Sequence, residues 1–479
     1  MTAILTTFFV AAASNSWPVD MSFTEVSRSS SIHPTLGYTE HQKTYLSPPM
    51  PLKPGQVVFT NPGKTPLKMP VTGSMVTGFT GEVVDDKGDS MPLTFVYDHH
   101  WIAIDSHHEN DLCPGFENYV FGIGAESRNS PQRFPAGYGY PIAAGTAWGG
   151  NIHLLHTQNL STVFSEGSLD LAAKQCNECY YAPGKGKECT PTRNGTFECC
   201  GDRCYDGSCS CPTTVAAHLL PATTFYLRYS VWYVEPEQAS MLKDVRIGVW
   251  TTPNCAAFYQ VLRNDKKPEQ LSRTSFTIPH AGTIIHAVGH QHTGAINISM
   301  WHNDRFVCAS YPSYGNQTDV PGNERGHLVK MSTCMDKDTS GYVVNTKKGD
   351  TIRLDAYYWV GGEDRRIAPS PAGTHLNVMS YMYVVFDIGQ EELEREPSRE
   401  EKRLRLAAAG AGCTTALVEP CGAFIGTGDA CIDCAAGAVR ELAHANCSVA
   451  HVEDTCQGRV TASSTLAKAL PPMVAPYMW

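Results

Sequence analysis

Short apolar runs, many of them alternating with polar residues, fill the chain between residues 56 and 388. Gly, Pro, Asn and Asp separate these runs, which are rich in β-branched and aromatic residues, so the pattern predicts strands. The strand-like runs are GEVVDD, PLTFVYDHHWIAID, FYLRYSVWYVEP, DVRIGVW, TSFTIP, GTIIHAVGHQH, GAINISMW, DRFVCAS, GYVVN, DTIRLDAYYWV and HLNVMSYMYVVFD. No long helical period appears before Gln390, and many closely spaced short strands are typical of antiparallel sandwiches or barrels.

The length of this region predicts two tandem antiparallel β-sandwich (jelly-roll-like) domains in a mainly β fold, because about 330 residues are too many for one sandwich. After it, charges of both signs followed by Ala and Gly indicate a solvated linker. The predicted organisation is a signal peptide at 1–14, an extended Ser/Pro-rich segment at 15–55, a first β-sandwich at 56–212 with a Cys-rich insert at 176–211, a second β-sandwich at 213–388, a charged linker at 389–412, a six-Cys helical module at 413–458 and a tail at 459–479.

The 18 cysteines fall into three even groups. Eight lie in residues 176–211, six in residues 413–458, and the other four are Cys113, Cys255, Cys308 and Cys334. Even groups in a chain with glycosylation sequons indicate disulfides formed in an oxidising compartment. The sequons place candidate glycans on Asn159, Asn194, Asn297, Asn316 and Asn446.

The C-terminal six-Cys module is Ala-rich and helix-prone between its cysteines. A unit this small needs covalent staples, which predicts three disulfides. Zinc held by Cys431 and Cys434 is the alternative, and an oxidising compartment disfavours it.

The ends of the chain and its charge bear on localisation and partners. An apolar run at residues 4–10 followed by small residues predicts a signal peptide, although Lys and Arg are lacking before it; a disordered tail is the alternative. No later apolar run approaches the length of a membrane span, so we expect a secreted, extracellular protein. The net charge of −10, with no basic patch, argues against nucleic acid as a partner.

The stretch HAVGHQH contains candidate metal ligands. His290 and His292 are two residues apart, so on a strand both imidazoles project from one face and can reach the same ion. His286 is in phase with them but about 13 Å from His290 along an extended strand, which makes it a poorer candidate. An H-x-H motif alone is a weak signal, and strand histidines without a metal are more common.

Two further histidine pairs lie upstream. His99 and His100 are adjacent, so they can bind one ion only if a β-bulge or the use of different ring nitrogens corrects the geometry. His153 and His156 are three residues apart and face opposite ways on a strand, so at most one of them joins the first pair. A third pair, His107 and His108, lies in a polar stretch typical of a solvated loop.

Methionine offers a sulfur ligand near the end of the strand-rich region. Met379 and Met382 lie in an apolar strand, where methionine is ordinarily a core residue. If one of them is a ligand, its soft thioether selects copper, and Cu(I) in particular.

Several longer motifs follow one another through residues 56–388: PLTFVYDHHW, FGIGAESR, NIHLLHT, CNEC, ECCGDRCYDGSC, YLRYSVWYV, AVGHQHTGAINISMW, VCASYPSYGN, GNERGHLVKMSTC and HLNVMSYMY. In these motifs and their order the chain resembles the stress-up-regulated nodulin family. That family in turn resembles, more distantly, the copper type II ascorbate-dependent monooxygenases, such as peptidylglycine α-hydroxylating monooxygenase and dopamine β-monooxygenase. Their fold is two linked antiparallel β-sandwiches, each carrying one copper ion.

The resemblance implies two copper sites. Its three-histidine site, which relays electrons, matches His99, His100 and His153; His153 fits the spacing better than His156. Its O₂-activating site matches His290, His292 and Met379, and these would be the catalytic residues. Ascorbate is then the expected reductant and hydroxylation of an unidentified substrate the expected reaction. Met382 faces the other side of the strand and is expected in the core.

Other functions fit parts of the same sequence. A non-catalytic extracellular or cell-surface glycoprotein could use the same sandwiches, and in either case the C-terminal Cys module could contact extracellular proteins or glycans. A zinc hydrolase fits worst, because no H-E-x-x-H motif occurs and methionine is a poor ligand for zinc.

Overall fold

A computed structural model of the 479-residue chain describes its strand-rich part and little of either end. The described residues are 21–52, 57–60, 62–113, 119–126, 132–156, 178–179, 196–197, 221–253, 255–256, 259–261, 264, 266–325, 327–361, 376–387 and 389. The predicted signal peptide, the six-Cys module, the tail, nearly all of the Cys-rich insert and of the linker, and Asn159, Asn194 and Asn446 lie outside these residues.

The described chain is mainly β, as the sequence predicts. Its strands are β1 Thr24–Ile32, β2 Thr39–Leu46, β3 Met50–Leu52, β4 Val57–Phe59, β5 Met75–Val84, β6 Val96–Asp105, β7 Phe121–Ile123, β8 Gln132–Arg133, β9 Tyr138–Pro141, β10 Trp148–His156, β11 Glu178–Cys179, β12 Thr196–Phe197, β13 Thr223–Val234, β14 Lys243–Asp244, β15 Arg246–Thr251, β16 Tyr259–Val261, β17 Glu269–Thr277, β18 Gly282–Gln291, β19 Ala295–His302, β20 Arg305–Ser310, β21 Pro312–Tyr314, β22 Leu328–Met331, β23 Thr333–Asp336, β24 Val344–Thr346, β25 Thr351–Trp359, β26 Leu376–Val378 and β27 Ser380–Asp387. Helical structure in the described part is limited to 3-10 turns at Pro62–Lys64 and Pro236–Met241 and to one α-helical turn, α1, at Lys337–Ser340. No helix in these residues is long and apolar enough to cross a membrane.

The strands up to β14 form two main sheets. One sheet has the order β1-β2-β13-β5-β9-β14, with β3 and β8 added at its sides, and the other has the order β4-β10-β6-β7. Their pairings are antiparallel except for the parallel contact of β14 with β9. Large aromatic side chains fill the core beside them, for example Trp101, Phe79 and Tyr229, whose rings contact one another.

The later strands form a five-stranded sheet, β15-β27-β18-β23 with β24, and a four-stranded sheet, β17-β25-β19-β20. The five-stranded sheet is buried on both faces because neighbouring residues alternate between two cores. Tyr383 and Val249 pack into the core of the earlier strands, whereas Met382 and Trp250 pack into the core shared with the four-stranded sheet.

Two segments pair differently from the predicted division of the chain. The Ser-rich segment within 15–55 contains β1 and β2, which form an antiparallel hairpin at the edge of the first sheet. β1 is exposed along nearly its whole length, so it lacks the apolar alternation that would have marked it as a strand. β13 pairs with β2 and β5, so it belongs with the earlier strands although the sequence assigns 213–388 to the second sandwich.

Several contacts hold the earlier strands against the later ones. Tyr383 Oη donates a 2.8 Å hydrogen bond to the carbonyl oxygen of Val120. The Leu93 amide donates to a carboxylate oxygen of Glu324 at 3.0 Å. A disulfide joins Cys113 to Cys255, and a second joins Cys308 to Cys334, so the four cysteines that lie outside the two dense groups pair among themselves. The Cys308–Cys334 bridge lies within the later strands; the two hydrogen bonds and the Cys113–Cys255 disulfide join the earlier strands to the later ones, and the end of β18 lies against β6.

Candidate metal centre

The first histidine group is assembled by two neighbouring strands. In the pairing of β6 with β10, His100 lies opposite His153 and Asp98 lies opposite Leu154, so His99 is an extra residue in a β-bulge. A bulge re-aims the side chains beside it, and here it lets two adjacent histidines face one point. This is the irregularity that the H-H pair requires.

The nitrogen atoms of this group lie at metal-binding distances from one another. One ligand atom from each of His99, His100 and His153 lies within 4.8 Å of the other two. The Nδ1 atoms of His99 and His100 are 3.2 Å apart, and two nitrogens bound at about 2.0 Å to one tetrahedral ion lie about 3.3 Å apart. Nε2 of His100 is 3.0 Å from Oδ1 of Asn151, which favours a proton on Nε2 and leaves Nδ1 for a metal.

The remaining upstream histidines lie elsewhere. His156 is fully buried and packs edge-on against the ring of Phe225, so only His153 of that pair lies beside His99 and His100. The prediction of a solvated loop holds for His107, which is exposed, and is wrong for His108. His108 is buried because the turn after β6 folds its ring toward Tyr140, 6.1 Å away between centroids.

The second group lies at the end of β18 and adjoins the first. The rings of His290 and His292 are 5.6 Å apart between centroids, and the ring of His292 is 5.6 Å from that of His99. His286 points elsewhere and bonds Asp336 on β23, with 2.9 Å between Nδ1 and Oδ2. The structure therefore joins five of the predicted histidine ligands into one cluster between the earlier and later strands.

Met379 lies beside His292. Ser380 pairs with Gln291 and Tyr381 pairs with His290 in the ladder of β27 and β18, so Met379 is the next residue toward His292. The hydroxyl of Tyr358 connects their backbones: it accepts from the His292 amide at 2.7 Å and donates to the Met379 carbonyl oxygen at 2.6 Å. Met382 is fully buried in the core shared with the four-stranded sheet, which confirms the prediction that it is a core residue.

Electrostatics keep several of these imidazoles neutral. Burial, followed by the nearby His153, holds the pKa values of His99 and His100 well below the ordinary histidine value. Burial and the neighbouring His290 lower the pKa of His292 to about 3. Neutral imidazole is the form that binds a metal, so these ligands need little further deprotonation at physiological pH.

Glu126 is a site residue that the sequence reading missed. It follows β7 within the motif FGIGAESR, and its Oε1 is 2.5 Å from Nδ1 of His290. Burial raises the pKa of Glu126, but the charge and hydrogen bond of His290 outweigh it and leave that pKa below its ordinary value. A single Glu after a short strand shows no ligand-like spacing to another residue, so its position within FGIGAESR is the only sequence signal for it.

Gly124 provides the space for this contact. A Cβ atom at this position would lie 2.8 Å from Oε2 of Glu126 and 3.3 Å from Cε1 of His290. The same atom would lie 3.4 Å from the carbonyl oxygen of His99. A side chain at this position would therefore force the Glu126 carboxylate to shift, and glycine leaves it room to reach His290.

In its described part the protein is mainly β, with several antiparallel sheets and a cluster of buried and partly buried histidines where its earlier and later strands meet. The chain belongs to the family described as Stress up-regulated Nod 19, whose model matches residues 38–114 and 105–385. The matched part contains all six predicted metal ligands, and the family description names no reaction. No curated protein matches the sequence significantly.

Solved structures show only slight likeness. An infectious bursal disease virus Gt strain structure has 10% identity, covers 77% of this chain and 72% of its own, and gives a TM-score of 0.18. The Gx strain structure of the same virus has 10% identity, covers 78% of this chain and 73% of its own, and gives a TM-score of 0.16. The GH31 alpha-xylosidase Xac1773 from Xanthomonas citri has 6% identity, covers 77% of this chain and 28% of its own, and gives 0.12.

Proposed function

We propose that this protein is a secreted copper-binding protein that holds two ions side by side. His99, His100 and His153 hold the first ion, and His290, His292 and Met379 hold the second. The observation that carries the proposal is the bulge in β6, which brings Nδ1 of His99 and Nδ1 of His100 to 3.2 Å from each other. Imidazole nitrogens collected at this spacing suit a metal cation, which neutral imidazole binds.

The donor set favours copper over other metals. Imidazole nitrogen suits zinc, copper, iron and nickel alike, so the first group does not discriminate among them. The thioether of Met379 is a soft ligand that selects copper. Its backbone link to His292 through Tyr358 supports its membership of the second group.

The reaction proposed for this centre is a copper-dependent monooxygenation, with ascorbate as reductant and a substrate of unassigned class. Copper would supply one-electron redox chemistry and a site for O₂. The residues of the chain keep His99, His100 and His292 neutral, and Asn151 and Glu126 orient His100 and His290. The resemblance to two-copper monooxygenases extends to the fold if the paired sheets are two tandem β-sandwich domains.

Secretion is proposed from the same chain. Two disulfides form among the described cysteines, which agrees with an oxidising compartment. Asn316 is exposed, and Asn297 is partly exposed on β19, so a glycan on Asn316 meets no steric obstacle at its own side chain.

The experiment is metal analysis of the secreted protein after copper loading and removal of loose metal. We expect about two copper ions per chain for the wild type and one fewer for His292→Ala. His286→Ala is the matched control, since it removes an imidazole from the same strand but outside the cluster, and it should keep the wild-type copper content.

Three outcomes would change the proposal. A wild-type protein without copper contradicts it. Equal copper loss in both histidine variants shows that the ligands are wrong. Bound copper without ascorbate-dependent O₂ consumption, tested on peptides, amines and phenols, removes the enzymatic part and leaves a copper-binding extracellular glycoprotein.

A further inference from the structure

Glu126 and His290 form a buried pair that the copper ligands alone do not explain. Their side chains are about one-tenth exposed, and 164 residues separate them in sequence. A buried carboxylate is costly unless it is paired and hydrogen-bonded. The earlier strands therefore place a charged group inside the junction to meet one ring on the later strands.

The contact fixes which nitrogen of His290 carries the proton. A carboxylate only accepts hydrogen bonds, so Nδ1 of His290 must be the protonated nitrogen. Nε2 is then the nitrogen that remains to bind an ion. The ring plane is fixed as well, because the ring of Tyr381 stacks on His290 with 4.5 Å between centroids and 17° between planes.

The two histidine groups differ in the acceptor that orients them. Asn151, which faces His100 at 3.0 Å, is neutral, whereas Glu126 brings a negative charge to His290. An anionic partner raises the basicity of a ligating imidazole and favours the more highly charged state of an adjacent metal ion.

We propose that Glu126 is a positioning residue that presents Nε2 of His290 to the second ion and lowers the reduction potential of that ion. This inference rests on the proposed copper function. It assigns different redox behaviour to the two ions: the ion near Glu126 holds Cu(II) more strongly than its His/His/Met ligand set alone would.

The main test compares Glu126→Gln with Asp336→Asn in the full-length, copper-loaded protein. Gln keeps the shape and an acceptor oxygen for His290 Nδ1 but removes the charge. Asp336→Asn makes the same change in the pair that Asp336 forms with His286, where Nδ1 and Oδ2 are 2.9 Å apart. His286 lies on β18, as His290 does, but outside the cluster. Cu(II) and Cu(I) affinities, the reduction potential and the Cu(II) EPR spectrum are measured for each.

We expect Glu126→Gln to lower Cu(II) affinity for one of the two ions 10- to 100-fold, the usual effect of losing such a partner. Cu(I) affinity should fall less, so the reduction potential of that ion rises and its EPR signal changes. Asp336→Asn should leave both ions unchanged, and Glu126→Asp, which keeps the charge, should restore part of the potential. A purely structural Glu126 would lower thermal stability without moving the potential, and that result would overturn the inference.

A second measurement needs no variant. Nitrogen-15 NMR of histidine-labelled wild-type protein loaded with diamagnetic Cu(I) should show His290 with a proton on Nδ1 and the metal on Nε2. The reverse assignment would overturn the inference while leaving copper binding intact. Absence of copper from the wild type would overturn both this inference and the proposed function.

Discussion

At the scale of single residues, two neighbours in the sequence can lie in very different environments. His107 and His108 are adjacent, yet His107 is exposed and His108 is buried to 8% exposure. Nε2 of His108 has no hydrogen-bond partner among the described residues. Burial, followed by the positive charge of Arg246, lowers the pKa of His108 to about 4.

This buried histidine predicts a stability change with pH. Between pH 6.5 and about 4, the unfolded chain binds a proton at His108 and the folded chain does not, so acidification favours unfolding. The lost free energy approaches about 3 kcal/mol at the acid end, from a shift of about 2.5 pKa units. Metal-free His108→Gln should therefore lose less stability than the wild type over this range.

Denaturant unfolding at several pH values measures the effect. His107→Gln, which changes the exposed neighbour, is the control and should keep the wild-type slope of stability against pH. If the wild type and His108→Gln had parallel profiles, His108 would not be a neutral buried group in the folded protein.

At the scale of secondary-structure elements, β6 and the segment after β7 shape the candidate centre. The bulge at His99 turns two histidines to one side, and Gly124 lets Glu126 reach His290. Both are departures from regular strand geometry. Bulges and close glycine approaches often mark functional parts of a sheet.

Gly124→Ala tests whether the space at Gly124 is needed for the contact between Glu126 and His290. The new Cβ would lie 2.8 Å from Oε2 of Glu126, so we expect the carboxylate to leave His290 and Cu(II) affinity at one ion to fall about tenfold or more. Isothermal titration calorimetry with Cu(II) measures this affinity. Gly150→Ala is the control, because its Cβ meets only side-chain methyl groups of Leu67, Ile152 and Thr65, at 3.2 Å or more. A Gly124→Ala protein with wild-type affinity would show that the contact is not needed.

The sequence predicts the strands of this fold well, because apolar alternation reports local burial. It also predicts that an H-H pair needs a bulge. It does not show that β13 joins β2 and β5, since pairing between distant strands depends on the whole sheet. Glu126 is missed for the same reason: its partner is 164 residues away, and no local spacing records that contact.

At the scale of the whole molecule, the candidate centre depends on how the earlier and later strands meet. His99, His100, His153 and Glu126 come from the earlier strands, and His290, His292 and Met379 come from the later ones. Neither set contains all the ligands and their supporting groups. The contacts across the junction therefore contribute to metal affinity as well as to folding.

The disulfide between Cys113 and Cys255 is the covalent link across this junction in the described part of the chain. Its cysteines are 142 residues apart, against 26 for Cys308 and Cys334. Chain-entropy arguments give about 5 kcal/mol of stabilisation for the longer loop and about 3.5 kcal/mol for the shorter. The difference arises because the longer link removes more freedom from the unfolded chain.

Replacing both cysteines of one bridge with Ala separates the contribution of that bridge to folding stability from its contribution to metal affinity. Cys113→Ala/Cys255→Ala should lower both the free energy of unfolding and the Cu(II) affinity, because the two ligand groups are then less firmly held together. Cys308→Ala/Cys334→Ala should lower stability by about 1.5 kcal/mol less and leave copper affinity near the wild-type value, because that bridge lies wholly among the later strands. Denaturant unfolding and copper titration measure the two quantities. Equal copper affinities in the two variants would mean that the noncovalent contacts of Tyr383 and Glu324 suffice to align the centre.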